Sequence, residues 1–210
     1  MIMLQKLVIE ITNFFAMNAK NSSEKDIVGL LKSVPLGKEN FVSQKIKKIP
    51  KERALKKALS TISDNALKEI KDCISNAYFE IEWKIDSGLF YEKDAEVGKQ
   101  YLNGNMHSEI IGPDYGSFKS DELRLGLFLL EPNVFYPDHQ HKAPELYLNL
   151  TGGTQWRFES TVWQTKNAGS VIYNQPFRVH AMKTTKFPFL SVWCWPSKSA
   201  EKCIIVPRCP

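Results

Sequence analysis

Leu4, Leu7, Val8, Ile11, Phe14 and Phe15 recur at intervals of three and four residues. That spacing predicts an amphipathic helix from Ile2 to Met17 with one apolar stripe. Ser23 begins a capping-box pattern with Asp26, which predicts a short helix through Leu31, ended by Pro35 and Gly37. From Lys51 a longer periodic stretch follows: Ala54, Leu55, Ala58, Leu59 and Ile62, then Leu67, Ile70, Ile74, Ala77, Tyr78 and Ile81. Ser63-Asp64-Asn65 divides it into two helices, because all three are good N-cap types. Each stripe needs an apolar partner, so these helices are expected to pack on a sheet or form a cap. Near Gly88 the pattern changes to β-branched and aromatic runs broken by Gly, Pro and Asn. GLFLLEP (126–132), LYLNL (146–150), TQWRFES (154–160), SVIYN (170–174) and FLSVWCW (189–195) read as short strands of a sandwich or barrel. The expected organisation is a helical region over 1–98 packed on a β-barrel over 99–210.

The chemistry is concentrated in YPDHQHKAPELYLNLTGG, residues 136–153. Residues i and i+2 of a strand share a face, about 6.6 Å apart, so the imidazoles of His139 and His141 can converge on one ion. Glu145, Tyr147 and Asn149 share a parity, while Leu146, Leu148 and Leu150 fill the alternate positions. A polar face of that kind needs partners if it is buried. A metal-bearing barrel interior would supply them, with the leucines packing outward. Imidazole nitrogens and a carboxylate oxygen suit Zn²⁺, Fe²⁺, Mn²⁺ or Ni²⁺. Only His107 and His180 remain as further histidines, and His180 lies eleven residues after Gly169.

His139 to Gly152 spells H-x-H-x3-E-x6-G, which matches the first cupin motif. Gly169 to His180 resembles the second, although Pro176 is displaced by one residue and the usual Gly before and Asn after the histidine are absent. The resemblance implies a mainly β fold: a cupin barrel (a double-stranded β-helix, or jelly roll) with an N-terminal α-helical extension. Tyr136, Tyr147, Trp156, HAMKT (180–184) and LSVWCW (190–195) narrow it further. The stretch from 125 to 195 resembles the cupin lyases that cleave dimethylsulfoniopropionate to dimethyl sulfide and acrylate. By that resemblance His139, His141, Glu145 and His180 hold one divalent metal, Tyr147 is the base and Tyr136 a second tyrosine lining the site.

The implied reaction is a β-elimination on a sulfonium zwitterion. A metal beside the substrate carboxylate would stabilise developing charge, and aromatic faces hold a desolvated cation well. Trp156, Trp193, Trp195 and Tyr173 are the candidate cage, each also able to serve as core. Lys183, Arg157 and Arg178 are candidates to steer the carboxylate. Three other readings stay open: an Fe(II) cupin dioxygenase, a sugar isomerase or epimerase, and a non-enzymic cupin that binds a small molecule.

Apolar residues make up 43% of the 210, enough for a substantial core. The net charge of +5 is mild, and seven basic residues fall between Lys45 and Lys57. No aromatic residues are interleaved there for base stacking, so a solvated helix face is expected rather than a nucleic-acid site. Cys73, Cys194, Cys203 and Cys209 form no C-x-x-C pair and fit reduced thiols in a cytoplasmic protein, a Cys203–Cys209 bridge being the alternative. No run is long enough to span a bilayer. The expected partner is a small molecule, with neither nucleic acid nor membrane, and a homodimer is the candidate assembly.

Overall fold

A computed structural model describes residues 1–44, 48–159, 162–196 and 201–207. Lys45 and Lys47 of the basic run, Ser160 and Cys209 lie outside the described residues. The helices come first: α1 (Ile2–Asn18), α2 (Ser22–Ser33), α3 (Glu52–Thr61) and α4 (Lys68–Ala77). The stripe predicted for α1 is buried at all six positions. The cap of α2 is Asn21, not Ser23. Its side chain accepts from the Glu24 N–H at 2.9 Å, and the Glu24 carboxylate accepts from the Asn21 amide at 2.8 Å. Glu24 stands three residues past the cap, where a carboxylate reaches back, whereas Asp26 lies deeper in the helix. Asp64 caps the short 3-10 turn Asn65–Leu67 that separates α3 from α4.

The β portion begins with β1 (Trp83–Lys84), ahead of residue 99, and a further helix, α5 (Lys99–Gly104), follows. Then come β2 (Asn105–Ser108), β3 (Leu123–Leu130), β4 (Phe135–Gln140), β5 (Glu145–Asn149), β6 (Thr154–Phe158), β7 (Gln164–Lys166), β8 (Val171–Asn174), β9 (His180–Lys183), β10 (Phe189–Pro196) and β11 (Ile204–Ile205). Two sheets form, ordered β1-β2-β3-β10-β5-β8 and β11-β4-β9-β6-β7, with antiparallel pairing throughout their described ladders. This is the double-stranded β-helix of a cupin.

The two sheets differ in what covers them. Every residue of β3 and β10 is buried. Leu125, Leu127, Leu129, Leu190, Val192 and Cys194 face outward and join one apolar cluster with the stripes of α1 to α4. Phe128, Leu130, Phe189, Trp193 and Trp195 face inward with Tyr136, Tyr147 and Trp156. A strand covered on both faces reads as an unbroken apolar run, as these do. In β6 burial alternates instead, with Gln155 and Arg157 half-buried. The leucines of β5 turn to the helices, while Glu145 and Tyr147 face the interior.

One glycine is required by packing. Gly126 of β3 pairs with Trp193 of β10, and a Cβ there would meet the Ser108 carbonyl and lie 2.8 Å from the Trp193 indole nitrogen. The described remainder of the basic run is helix surface and linker; Lys51 binds Glu131 at 2.7 Å and Lys56 binds Glu52 at 2.7 Å. Cys73, Cys194 and Cys203 are free and buried. Among the described residues no helix is long and apolar enough to cross a membrane.

Leu148 is fully buried between sheet and helices. Leu148→Ala should destabilise the fold by about 2–5 kcal/mol through lost burial and a residual cavity. Urea unfolding checks this; an unchanged midpoint would show that the helical layer does not depend on that contact.

Candidate metal centre and active site

The β4–β9 ladder places His139 directly opposite His180. His141 follows one residue after β4, and Glu145 opens β5. Ligand atoms of His139, His141 and His180 lie within 4.8 Å of one another, and all three rings are buried. Glu145 Oε2 stands 3.3 Å from His141 Nε2 and 3.6 Å from His180 Nε2. The structure therefore brings together all four residues predicted as ligands.

Their hydrogen bonds fix which nitrogen is available. His139 Nδ1 meets the Pro137 carbonyl at 2.8 Å, His141 Nδ1 the Ala143 carbonyl at 2.7 Å, and His180 Nδ1 the Arg178 carbonyl at 2.8 Å. A carbonyl only accepts, so each neutral ring carries its proton on Nδ1 and leaves Nε2 as a bare lone pair. The Nε2 atoms of His141 and His180 are buried with no hydrogen-bond partner. Orphaned buried acceptors are costly unless something satisfies them, and a divalent ion does so. The donor set of imidazole nitrogens beside a carboxylate fits such an ion.

Electrostatics agree with ligation. Burial, and next the neighbouring His141, pushes His139 down to about 3. Burial, followed by His139 and His141, holds His180 well below its ordinary value. Both rings are thus neutral at pH 7, the form that binds metal. Burial pushes the Glu145 carboxyl up, but His141, His180 and the Trp195 indole outweigh it, and the net shift is downward.

Glu145 is oriented from behind. Trp195 Nε1 donates to Glu145 Oε1 at 2.5 Å, and Asn174 Nδ2 donates to Oε2 at 3.1 Å. The Trp195 ring also packs on His141 at 4.5 Å between centroids. Tyr136 stacks on His139 at 4.1 Å, and its hydroxyl is bonded to that of Tyr91. A register shift in the β4–β9 ladder between Tyr136 and His139 accompanies this stacking of residues three apart, which regular strand alternation would place on opposite faces.

The interior cavity beside the cluster is lined by Glu145, Tyr147, Tyr136, Trp193 and Trp195, and also by Asp86, Phe90, Tyr91, Tyr101, His107, Arg124, Phe128 and Cys203. Two of the residues expected to cage a cation do not line it. Trp156 is fully buried, packed between Tyr147, Phe158 and Phe189. Tyr173 lies on the outer face of β8, against the helical cluster, because strand alternation turns Ile172 inward instead. The expected steering cations are also elsewhere. Arg157 binds Asp138 and lies 4.3 Å over Trp163, Lys183 lies 4.4 Å over the same ring, and Arg178 lies over Phe158. Arg124 is the basic residue at the cavity, and Glu109 and Asp114 pair with it at 2.6 and 2.7 Å. Sequence reasoning missed Asp86, Tyr91, Tyr101 and Arg124, which stand outside the motif segments. The inward parity of Arg124 within an apolar strand was the one available signal.

Residues 25–191 match the dimethylsulfoniopropionate lyase family. The chain belongs to that family. The family's reaction is cleavage of dimethylsulfoniopropionate to dimethyl sulfide and acrylate, a carbon–sulfur lyase reaction. The chain is 25% identical over 142 residues to dimethylsulfoniopropionate lyase DddQ of Ruegeria pomeroyi, covering 68% of each chain. It is 31% identical over 112 residues to the putative dimethylsulfoniopropionate lyase DddL of Cereibacter sphaeroides, covering 50% of this chain and 43% of that one. The crystal structure of DddQ from Ruegeria pomeroyi superposes with a TM-score of 0.68 at 20% identity, over 97% of this chain and 96% of that one, which shows a shared fold.

Two measurements probe this lyase-family site. Trp195→Phe keeps a ring on His141 but removes the donor to Glu145, and should weaken metal binding about tenfold or more; metal titration with a chelator competitor reads it. Burial, and then Lys84, holds His107 down at about 4, so the unfolded chain binds more protons than the fold between that value and about 6.5. Stability of the metal-free protein should therefore fall as pH falls through that window, by about 1.4 kcal/mol per pH unit for this histidine. Urea unfolding at pH 7 and pH 5 should show the loss, and His107→Gln should reduce it; equal slopes would contradict the assignment.

Proposed function

We propose that this chain cleaves dimethylsulfoniopropionate by β-elimination at the His139, His141, Glu145 and His180 cluster, with Tyr147 as general base. The observation that carries the reading is the convergence of bare Nε2 lone pairs and a carboxylate beside an aromatic-walled cavity that Glu145 and Tyr147 both line. A divalent ion held there would act as a Lewis acid toward the substrate carboxylate and favour the phenolate of a neighbouring tyrosine.

The residues divide the remaining work. Tyr147 shares the inward face with Glu145 and interacts with its carboxylate; burial, then that charge, raises the phenol well above its ordinary value in the metal-free chain. A positive charge nearby is thus needed before Tyr147 can accept a proton, which ties the base to the ligand cluster. As the base, its oxygen takes the proton from the carbon beside the carboxylate. The C–H electrons form the double bond of acrylate, and the C–S pair departs with dimethyl sulfide. Tyr136 is better suited to orientation, because its hydroxyl is engaged with Tyr91 and its ring is fixed between Tyr101 and His139. Zn²⁺, Fe²⁺, Mn²⁺ and Ni²⁺ all remain compatible with the donor set.

Purified protein given dimethylsulfoniopropionate should release dimethyl sulfide to the headspace, and no release would reject the proposal. Tyr147→Phe should retain fold and metal while turnover at saturating substrate drops at least about 100-fold. Tyr136→Phe should lose less. The reverse order would transfer the base role to Tyr136.

A further inference from the structure

Asp86 is 2% exposed, lies outside every motif, and lines both the interior cavity and the adjoining outer pocket. Its carboxylate is held firmly: Oδ1 accepts from the Gly88 N–H at 2.9 Å and Oδ2 from the Tyr101 hydroxyl at 2.9 Å. Asn105, itself fully buried, braces the backbone by donating to the Asp86 carbonyl at 2.9 Å and accepting from its N–H at 2.7 Å. No salt bridge joins Asp86 to any cation among the described residues, whereas the nearby Arg124 is paired with both Glu109 and Asp114. A buried carboxylate without a cation is costly, and its burial raises the carboxyl from its ordinary value. A fixed site of that kind is well placed to receive a positive charge brought by a ligand.

Its position relative to the ligand cluster gives the charge a purpose. Tyr101, which donates to Asp86, stacks on Tyr136 at 4.2 Å, and Tyr136 stacks on His139 at 4.1 Å. The histidine cluster, which would take a ligand carboxylate through a bound cation, and the Asp86 carboxylate therefore stand at opposite ends of a stack of rings, of which Tyr101 and Tyr136 line the cavity. Phe90, Tyr91 and Trp193 add aromatic faces to that cavity. We propose that Asp86, with the aromatic faces of this cavity, holds the cationic end of a zwitterionic ligand whose carboxylate lies at the His139, His141 and His180 cluster. This rests on the lyase reading for its physiological ligand, dimethylsulfoniopropionate, but its claim concerns charge selection. The site would discriminate against an analogue of the same shape that lacks the cationic group, because Asp86 would then keep its hydrogen bonds but gain no positive charge.

The test needs no turnover. Calorimetry on the metal-loaded protein compares 3-(trimethylammonio)propanoate with 4,4-dimethylpentanoate, the isostere that keeps the carboxylate and replaces the cationic nitrogen by carbon. The wild type should bind the cationic ligand at least about tenfold more tightly. Asp86→Asn keeps the size and most hydrogen bonds, and should cut that ratio about tenfold while leaving affinity for the isostere in place. Asp86→Ser, which can still accept from Gly88, is the second variant should the first not fold. A purely structural role would lower both affinities together. No preference in the wild type, or a preference that survives in a folded Asp86 variant, would overturn the proposal. Absence of dimethyl sulfide from the wild type would count against the lyase reading alone.

Discussion

Three imidazoles, each tied through Nδ1 to a backbone carbonyl two residues away, present Nε2 to a common point beside Glu145. This arrangement is unfavourable without a ligand, since bare lone pairs and a carboxylate are buried together. The fold tolerates it because backbone pairing fixes the positions first. His139 and His180 are ladder partners, and Glu145 is the ladder partner of Asn174, which holds its carboxylate. His139 and His180 stay neutral because burial opposes their charged form, so these two rings can take a cation without prior loss of protons at neutral pH.

Rigidity around the cluster comes from double-sided burial of the first sheet. The helical stripes and the outward leucines of β3, β5 and β10 form one apolar cluster, so the helices act as the outer wall of the barrel. A strand fixed on both faces cannot slip by one residue without exposing its whole apolar set. That constraint keeps Trp193 against Gly126 and Trp195 against Glu145, where a displacement of an ångström would misplace the donor that orients the carboxylate.

The aromatic residues of the interior do different jobs although they look alike in the sequence. Trp156 fills the core out of reach of the cavity, Trp195 orients Glu145, and Tyr136 splints His139. Trp193 lines the cavity with its indole N–H directed to the Leu127 carbonyl at 3.3 Å. The buried charges follow the same logic: Arg124 is balanced by two carboxylates, while Asp86 has no salt-bridge partner among the described residues.

The sequence by itself determined the elements and the four candidate ligands. The helical stripes, the strand runs and the H-x-H-x3-E segment depend on periodicity and local spacing, which are properties of neighbouring residues along the chain. The lone His180 was legible because a glycine at fixed spacing precedes it. Tertiary structure decided the rest. The register shift that lets Tyr136 and His139 stack breaks strand alternation, and nothing in the local sequence reports it. Tyr173 and Trp156 left the expected cage because a cavity wall is defined by what faces it across the barrel, not by residue type. Asp86, Tyr101 and Arg124 joined the site for the same reason. They come from segments before the motifs, and pairings between residues distant in the chain brought them to it.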